Sequence, residues 1–305
     1  MTLTIRAFRS ADAEAACAAL RSGRPYLVTT PQVVAWQLAT QPHLRMLLAE
    51  RDGRIVATAR YGPYPDSTTP GLGFAAVHVV PADRGRGTGG ALLRATELAL
   101  AGEGVRRVHA RGDDTPAARA FAQARGYRPG RVAHVARRDL TAPLPDVPPV
   151  PAGIALRTAE DFRADPHPLY LVDAEGTQDE PGDVELADLG YAAWLAEIWQ
   201  RPDLDHRLTT VAVDTADGRP VAFSAAQTDG AGRYWSSFTT TRAAHRGRGL
   251  AKLAKADSLH RARAAGLTAA YTHNDAGNAP MLAVNAWLGY RRCAAERSWT
   301  RDLAG

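Results

Sequence analysis

Arg84-Gly85-Arg86-Gly87 returns 162 positions later as Arg246-Gly247-Arg248-Gly249, followed by Thr88-Gly89 in the first copy and Leu250-Ala251 in the second. Each copy follows a run that reads as a strand and opens an alanine- and leucine-rich stretch with helical periodicity. Working outward, Gly126-Tyr127 recurs as Gly289-Tyr290, Arg138-Asp139-Leu140 as Arg301-Asp302-Leu303, and Asp52-Gly53-Arg54 as Asp217-Gly218-Arg219. Four matches in order at nearly constant spacing indicate a duplicated domain, because the period is far too long for a solenoid. Five prolines between Thr141 and Pro151 exclude helix and central strand there and read as an extended linker. The division expected is residues 1–140, a linker over 141–151, and residues 152–305.

Each copy reads the same way. Asp52-Gly53 and Asp217-Gly218 lie between apolar runs and signal hairpins. A strand follows (73–80 and 233–241), then the glycine loop and a helix (87–101 and 250–265). A strand (107–111 and 268–273), a second helix (115–125 and 278–287) and a last strand (132–140 and 290–302) complete the copy. The fold class is α/β, a mixed sheet with helices on both faces.

The chain has 305 residues, enough for two ordinary domains, and its 45% apolar content allows each a core. No run approaches a membrane span, and MTLTIRAFRSADAEA lacks a signal peptide's apolar stretch, so a soluble, cytoplasmic protein is expected. Cys17 and Cys293 lie far apart and read as small hydrophobic residues rather than a disulfide or a zinc site. The net charge of +5 suits a phosphorylated cofactor, whereas the dispersed arginines, with no aromatic-interleaved basic stripe, argue against nucleic acid. Lys252 and Lys255 are the only lysines, one helical turn apart beside the second loop.

A glycine loop opening a helix is an anion site, because unpaired N–H groups and the helix dipole converge there. A P-loop would end in Gly-Lys-Ser/Thr, which neither copy does. Gly85, Gly87 and Gly90 satisfy the dinucleotide fingerprint. The acidic ribose partner is missing, since Val105-Arg106-Arg107-Val108 stands near its place, and Lys252 replaces the third glycine in copy two. Arg84-x-x-Gly87-x-Gly89 and Arg246-x-x-Gly249-x-Ala251 resemble the R/Q-x-x-G-x-G/A signature of the GNAT acetyltransferase superfamily. Val79 and Pro81 ahead of the first loop are similar to that family's strand ending. Asn278, Met281, Asn285 and Gly289-Tyr290 are similar to its second motif.

The resemblance implies a tandem N-acetyltransferase using acetyl-CoA. Backbone groups of Val77 and Val79, or of Thr239 and Thr241, would pair with the pantetheine arm. The loops Arg84, Gly85, Arg86, Gly87, Thr88, Gly89 and Arg246, Gly247, Arg248, Gly249, Leu250, Ala251 would hold the pyrophosphate. Lys252 and Lys255 would reach the phosphates, with Asn274 and Asn278 beside the cofactor. The family's proton-donating tyrosine falls at Ala122 in copy one and at Asn285 in copy two. That points to copy two as catalytic, with Asn285 and Tyr234 as candidate catalytic residues, and to copy one as a degenerate cofactor site. Some tandem members, including mycothiol synthases, are similarly unequal. His78 reads as a packed strand residue and His245 as loop lining. The acidic stretch 173–188 offers Asp179, Glu180, Asp183 and Glu185 for a cationic amine. The expected partner is a small-molecule amine, acting on a monomer or homodimer without membrane or nucleic acid. The alternatives are acetylation of a cysteinyl amine, as in mycothiol synthesis, and a non-catalytic acyl-CoA-binding module.

Overall fold

The computed structural model describes residues 3–64, 67–179, 181–185 and 187–303. The chain forms two compact units. The N-terminal unit comprises residues 1–133, 182–187 and 294–305, and the C-terminal unit residues 134–181 and 188–293. This differs from the linear division at 140 and 152 in one respect. The later part of the last strand of each copy (from 134 and from 294), and a six-residue piece of the acidic stretch, belong to the unit built by the other copy.

The elements follow the expected order. Copy one runs β1 (Leu3–Ala7), α1 (Ala13–Arg21), α2 (Pro31–Thr40), β2 (Arg45–Arg51), β3 (Arg54–Pro63), β4 (Leu72–Val79), α3 (Thr88–Gly102), β5 (Arg107–Asp113), α4 (Pro116–Gln123) and β6 (Arg128–Asp139). Copy two runs β7 (Ile154–Thr158), α5 (His167–Gln178), α6 (Tyr191–Trp194), β8 (Thr210–Asp214), β9 (Pro220–Thr228), β10 (Arg233–Thr241), α7 (Leu250–Ala264), β11 (Ala269–Asp275), α8 (Ala279–Trp287) and β12 (Arg291–Asp302). A π-helical turn, Leu195–Trp199, extends α6. Among the described residues, no helix is long and apolar enough to cross a membrane.

Local chemistry accounts for these boundaries. Asp52 and Gly53 both adopt positive φ (51° and 73°), as a two-residue hairpin turn whose twist matches its strands requires. Thr115 and Asn278 cap α4 and α8 by accepting from the N–H groups of Ala118 and Met281, and a proline in each first turn loses no needed donor. In β2 the alternation divides the core. Met46 and Leu48 pack with α1 and α2, whereas Leu47 and Ala49 face the opposite layer, where α3 buries Leu92.

Within the N-terminal unit the strand order is β1-β2-β3-β4-β5-β12, and within the C-terminal unit β6-β11-β10-β9-β8-β7. The second half of β12 pairs antiparallel with β5, from Glu296 opposite Asp113 to Asp302 opposite Arg107. Trp299 is thereby buried with Tyr61, Leu93, Val108 and Tyr127. Trp299→Ala should therefore destabilise the N-terminal unit by about 3–5 kcal/mol. Hydrogen exchange should rise across residues 107–113 and stay unchanged across 269–275. The reverse pattern would rule out this strand exchange.

Two features of the sheets make a site. The parallel pairing of β4 with β5 ends at Ala75 opposite Ala110, although both strands continue to Val79 and Asp113. The pairing of β10 with β11 ends likewise at Ser236 opposite Thr272. Each unit therefore contains a wedge whose inner strand edge is free for a peptide-like group to join. In β10 alone of the two, the register against the preceding strand shifts between Ser236 and Phe238, a bulge that leaves Ser237 out of the ladder.

Candidate functional site

Both glycine loops have the same conformation. Gly85 and Gly87 have φ of 75° and 79°, and Gly247 and Gly249 both have 76°. Only glycine takes these angles freely, and no atom lies within 4 Å of where a Cβ would stand. Gly87 and Gly249 are the N-caps of α3 and α7, and among the described residues neither helix start carries a side-chain cap hydrogen bond. The first arginine of each loop folds back onto its own strand: Arg84 Nε donates to the Val79 carbonyl and Arg246 Nε to the Thr241 carbonyl, each at 3.1 Å. The result is an exposed, arginine-bearing glycine turn that opens a helix at the open end of each wedge.

In the N-terminal unit the wedge opens into a cleft of about 540 Å³. Val77, Val79, Arg84, Gly85, Gly87 and Gly89 all line it, and small residues keep it open. Its inner end is apolar: Ala75, Ala110, Leu93 and Ala122. Tyr127, also there, is already committed, its hydroxyl donating to Glu97 at 2.8 Å. Arg86 turns toward Asp83 (3.6 Å) instead. Thr88 is buried and accepts from Arg51, which also pairs with Asp83. On the far side of β4 lies a second cavity of about 160 Å³, where the Arg24 guanidinium pairs with Glu296 and with Asp113 (3.2 Å). His78 lines both spaces and its Nε2–H donates to the Ser22 carbonyl at 2.8 Å. Burial, then the nearby Arg24 charge, lowers its pKa and keeps it neutral at pH 7.

The C-terminal unit has the opposite character at the same place. Where copy one has Leu93, Ala110 and Ala122, copy two has Lys255, Thr272 and Asn285. Lys255 is 1% exposed. Its Nζ donates to Thr272 Oγ1 at 3.2 Å and lies 5.3 Å from the Tyr290 ring centroid. Burial alone pulls its pKa down to about 7. Asn285 Nδ2 donates to Asn274 Oδ1 at 2.6 Å, while Asn285 Oδ1 and the Tyr290 hydroxyl are buried without partners among the described residues. Buried polar atoms without partners cost stability, and so mark a place where something else is expected to bind.

On the other face of β10 is a cavity of about 240 Å³, walled by Trp194, Trp199, Phe223 and Phe238 and reaching Asp173 and the bulge residue Ser237. Trp194 Nε1 is buried there without a partner among the described residues. The π-helical turn carries Trp199 to this wall, a distortion that recurs at functional sites.

Comparison with known proteins agrees with this geometry. Residues 13–127 match the Acetyltransferase (GNAT) family. A mycothiol acetyltransferase of Thermomonospora curvata is 35% identical over 257 residues, covering 83% of this chain and 80% of that one. The mycothiol acetyltransferase of Nocardia farcinica is 32% identical over 260 residues, 81% and 79% of the two chains. The chain belongs to the GNAT acetyltransferase family. A tandem GNAT protein from the clavulanic acid biosynthesis pathway shares the fold across 100% of this chain and 99% of its own, with a TM-score of 0.74 at 21% identity. A GCN5-related N-acetyltransferase from Sphaerobacter thermophilus gives 0.73, also at 21%, over 98% and 95%. The protein is thus an acetyltransferase with two tandem GNAT domains.

The GNAT frame gives each candidate residue a location. Thr239 shares a hydrogen bond with Ser224 (2.9 Å), and the Thr241 hydroxyl is buried without a partner among the described residues. Arg248 reaches His245 and the Ala152 carbonyl. Leu250 is a core residue with Leu253, Ala251 follows it in the first turn of α7, and Lys252 lies 3.6 Å over the Trp287 ring. The Asn278 side chain is used as a helix cap. Tyr234 must be corrected: it is fully buried, its hydroxyl shares a hydrogen bond with Ser258 at 2.7 Å, and burial raises its pKa, so it is a core residue and no base.

The acidic stretch also needs correction. Asp183 and Glu185 belong to the N-terminal unit and do not line the C-terminal cavity. Asp183 accepts from Ser298 and the Arg131 N–H, and Glu185 meets Thr68. Asp179 pairs with Arg246, and Glu175 pairs with Arg242 (2.9 Å), so α5 presents these two acids to the loop and its approach. Glu180 lies outside the described residues. Asp173, two residues before Glu175 on α5, is the acid that lines the cavity, together with Leu169 and Thr177 on the same helix face. The sequence offered Asp173 only as one acid of this stretch, and it placed Lys255 among the phosphates rather than at the wedge apex. Neither residue carries a motif that says which way it points.

Proposed function

We propose that acetyl-CoA is the acyl donor, that both units can hold it along their wedges, and that transfer to a small-molecule amine takes place in the C-terminal unit. The observation that carries this reading is the contrast between the two wedge ends. Holding a cofactor needs shape and free amides, which both units have. Acetyl transfer also needs polar groups at the thioester, both to stabilise the oxyanion and to protonate the thiolate. The N-terminal wedge ends in Ala75, Ala110, Leu93 and Ala122, whereas the C-terminal wedge ends in Lys255, Thr272 and Asn285.

The arrangement in the C-terminal unit suits direct transfer. The amine enters from the aromatic cavity, where Asp173 attracts and orients it. Ser237, thrown out of the ladder by the bulge, lies where cavity and wedge meet, so the backbone there is available to a developing oxyanion. A second reading concerns the acceptor. Relatives named mycothiol acetyltransferase match along four-fifths of their length, which supports a cysteinyl amine as the acceptor. Release of CoA thiol against a panel of amines, including a cysteinyl amino sugar, tests both. Turnover confined to cysteinyl compounds selects the second reading, and turnover of other small amines selects the first. No turnover of any amine would overturn both.

A further inference from the structure

The family's proton donor is missing from both copies, yet the C-terminal wedge holds a buried cation with no counter-ion among the described residues. We propose that Lys255 is the catalytic proton donor to the departing thiolate. This rests on the reading that transfer takes place in the C-terminal unit.

The argument starts with position. Lys255 Nζ bonds Thr272, the residue at which β10 and β11 part. A pantetheine arm anchored by its phosphates on Gly247–Gly249 and added to the free edge of β10 runs from Thr241 toward Ser236, roughly 16 Å at the usual rise per residue. Its sulfur end then arrives at the wedge apex, beside Lys255. The two faces of β10 divide the labour. Phe238 and Ser237 border the cavity through which the amine approaches, whereas Thr272 and Lys255 lie on the side of α7. Attack comes from one face and the sulfur leaves toward the other.

The second argument is chemical. Asn285, in the place of the usual tyrosine, has a carboxamide that does not release a proton at neutral pH, and its Nδ2 is already bonded to Asn274. Among the described residues, no charged group is near enough to Lys255 to shift it. The elements packed around it offer Thr272 from β11, and from β10 and the residue before β12 the phenols Tyr234 and Tyr290, both kept neutral by burial. Arg138 acts on Tyr290, and Asp257 on α7 is engaged by Thr210 and Arg261. With its pKa near 7, the ammonium is both populated at neutral pH and acidic enough to protonate a thiolate whose thiol has a pKa of about 8.5. In the step, the amine nitrogen bonds to the acetyl carbon and the C–S bond breaks with its electron pair on sulfur. Lys255 gives its proton to sulfur and is reprotonated, through water, by the proton the new amide nitrogen sheds.

Lys255→Met tests this in the full-length chain. Burial of a neutral side chain is compatible with the fold, so loss of activity would not reflect unfolding. The expected result is a 10²- to 10³-fold fall in kcat with the KM for acetyl-CoA changed less than about threefold. The wild-type kcat should fall as pH rises through about 7, and this limb should vanish in K255M. Lys255→Arg, which keeps a cation that does not release its proton, should remain as impaired. K255M within twofold of wild type, or an unchanged descending limb, would overturn the proposal. So would one acetyl group on the intact wild-type mass that is absent from K255M, since Lys255 would then be a nucleophile. If Gly249→Val abolishes turnover and K255M does not, only the Lys255 assignment fails. If Gly249→Val leaves turnover intact, the C-terminal reading itself fails.

Discussion

Gly249→Val is expected to lower kcat/KM for acetyl-CoA by at least ~10²-fold, while Gly87→Val leaves turnover within a few-fold and removes one bound acetyl-CoA from the native mass spectrum. Both glycines cap a helix at positive φ with open space around them, so the penalty is a backbone penalty and not a clash. A β-branched residue is among the least tolerant of that region, at a cost of roughly 1–2 kcal/mol, and relieves the strain by turning the loop. The amides that should meet the pyrophosphate then point elsewhere, and a displacement of about 1 Å at a positioning group is enough for a 10²-fold loss. The two variants impose the same local injury on the two units, so their difference reports where the chemistry happens. If G87V abolished turnover and G249V did not, the reaction would belong to the N-terminal unit, at the junction of its two cavities beside His78.

The second large effect is on stability. Lys255→Met should stabilise the fold by on the order of 4 kcal/mol at pH 6, and the gain should shrink steadily above pH 7. The sign follows from proton counting. The folded-state pKa, about 7, is below the usual 10.5. Below pH 7 the lysine is charged in both states, and the native state bears the full cost of burying the ammonium. Between about 7 and 10.5 the unfolded chain binds a proton that the native state has released, so wild-type stability rises with pH across that window. Methionine fills similar space and does not titrate, so K255M lacks this rise. Urea denaturation at several pH values measures it. Parallel stability–pH curves for the two proteins would mean that Lys255 is not a buried, depressed amine. A residue that lowers stability while its replacement lowers activity is the combination expected of a catalytic group.

Much of this was legible in the chain. The recurrence of Arg-Gly-Arg-Gly, Asp-Gly and Gly-Tyr specified a duplicated α/β domain, because each of these steps demands a backbone conformation that only those residues adopt cheaply. The second helices were expected from 115 and 278, and the structure shows Thr115 and Asn278 capping them. The acidic stretch misled because charge composition says nothing of direction: Asp179 turned to Arg246, Asp183 to Ser298, and Asp173 to the cavity. Tyr234 misled because strand alternation cannot say which face carries the helix that buries it.

The sequence by itself determined what is local: the repeat, the turns, and the glycine loops whose signature indicated the family. Tertiary structure decided what depends on partners distant in the chain. It decided that β12 completes the sheet of the N-terminal unit, because a strand edge is satisfied by whichever strand reaches it in register. It decided that two lysines one helical turn apart have different fates, Lys252 over the Trp287 ring and Lys255 sealed under Thr272. Burial is a property of the assembled fold, and burial turned one of two equivalent-looking cations into a group that can trade its proton near pH 7.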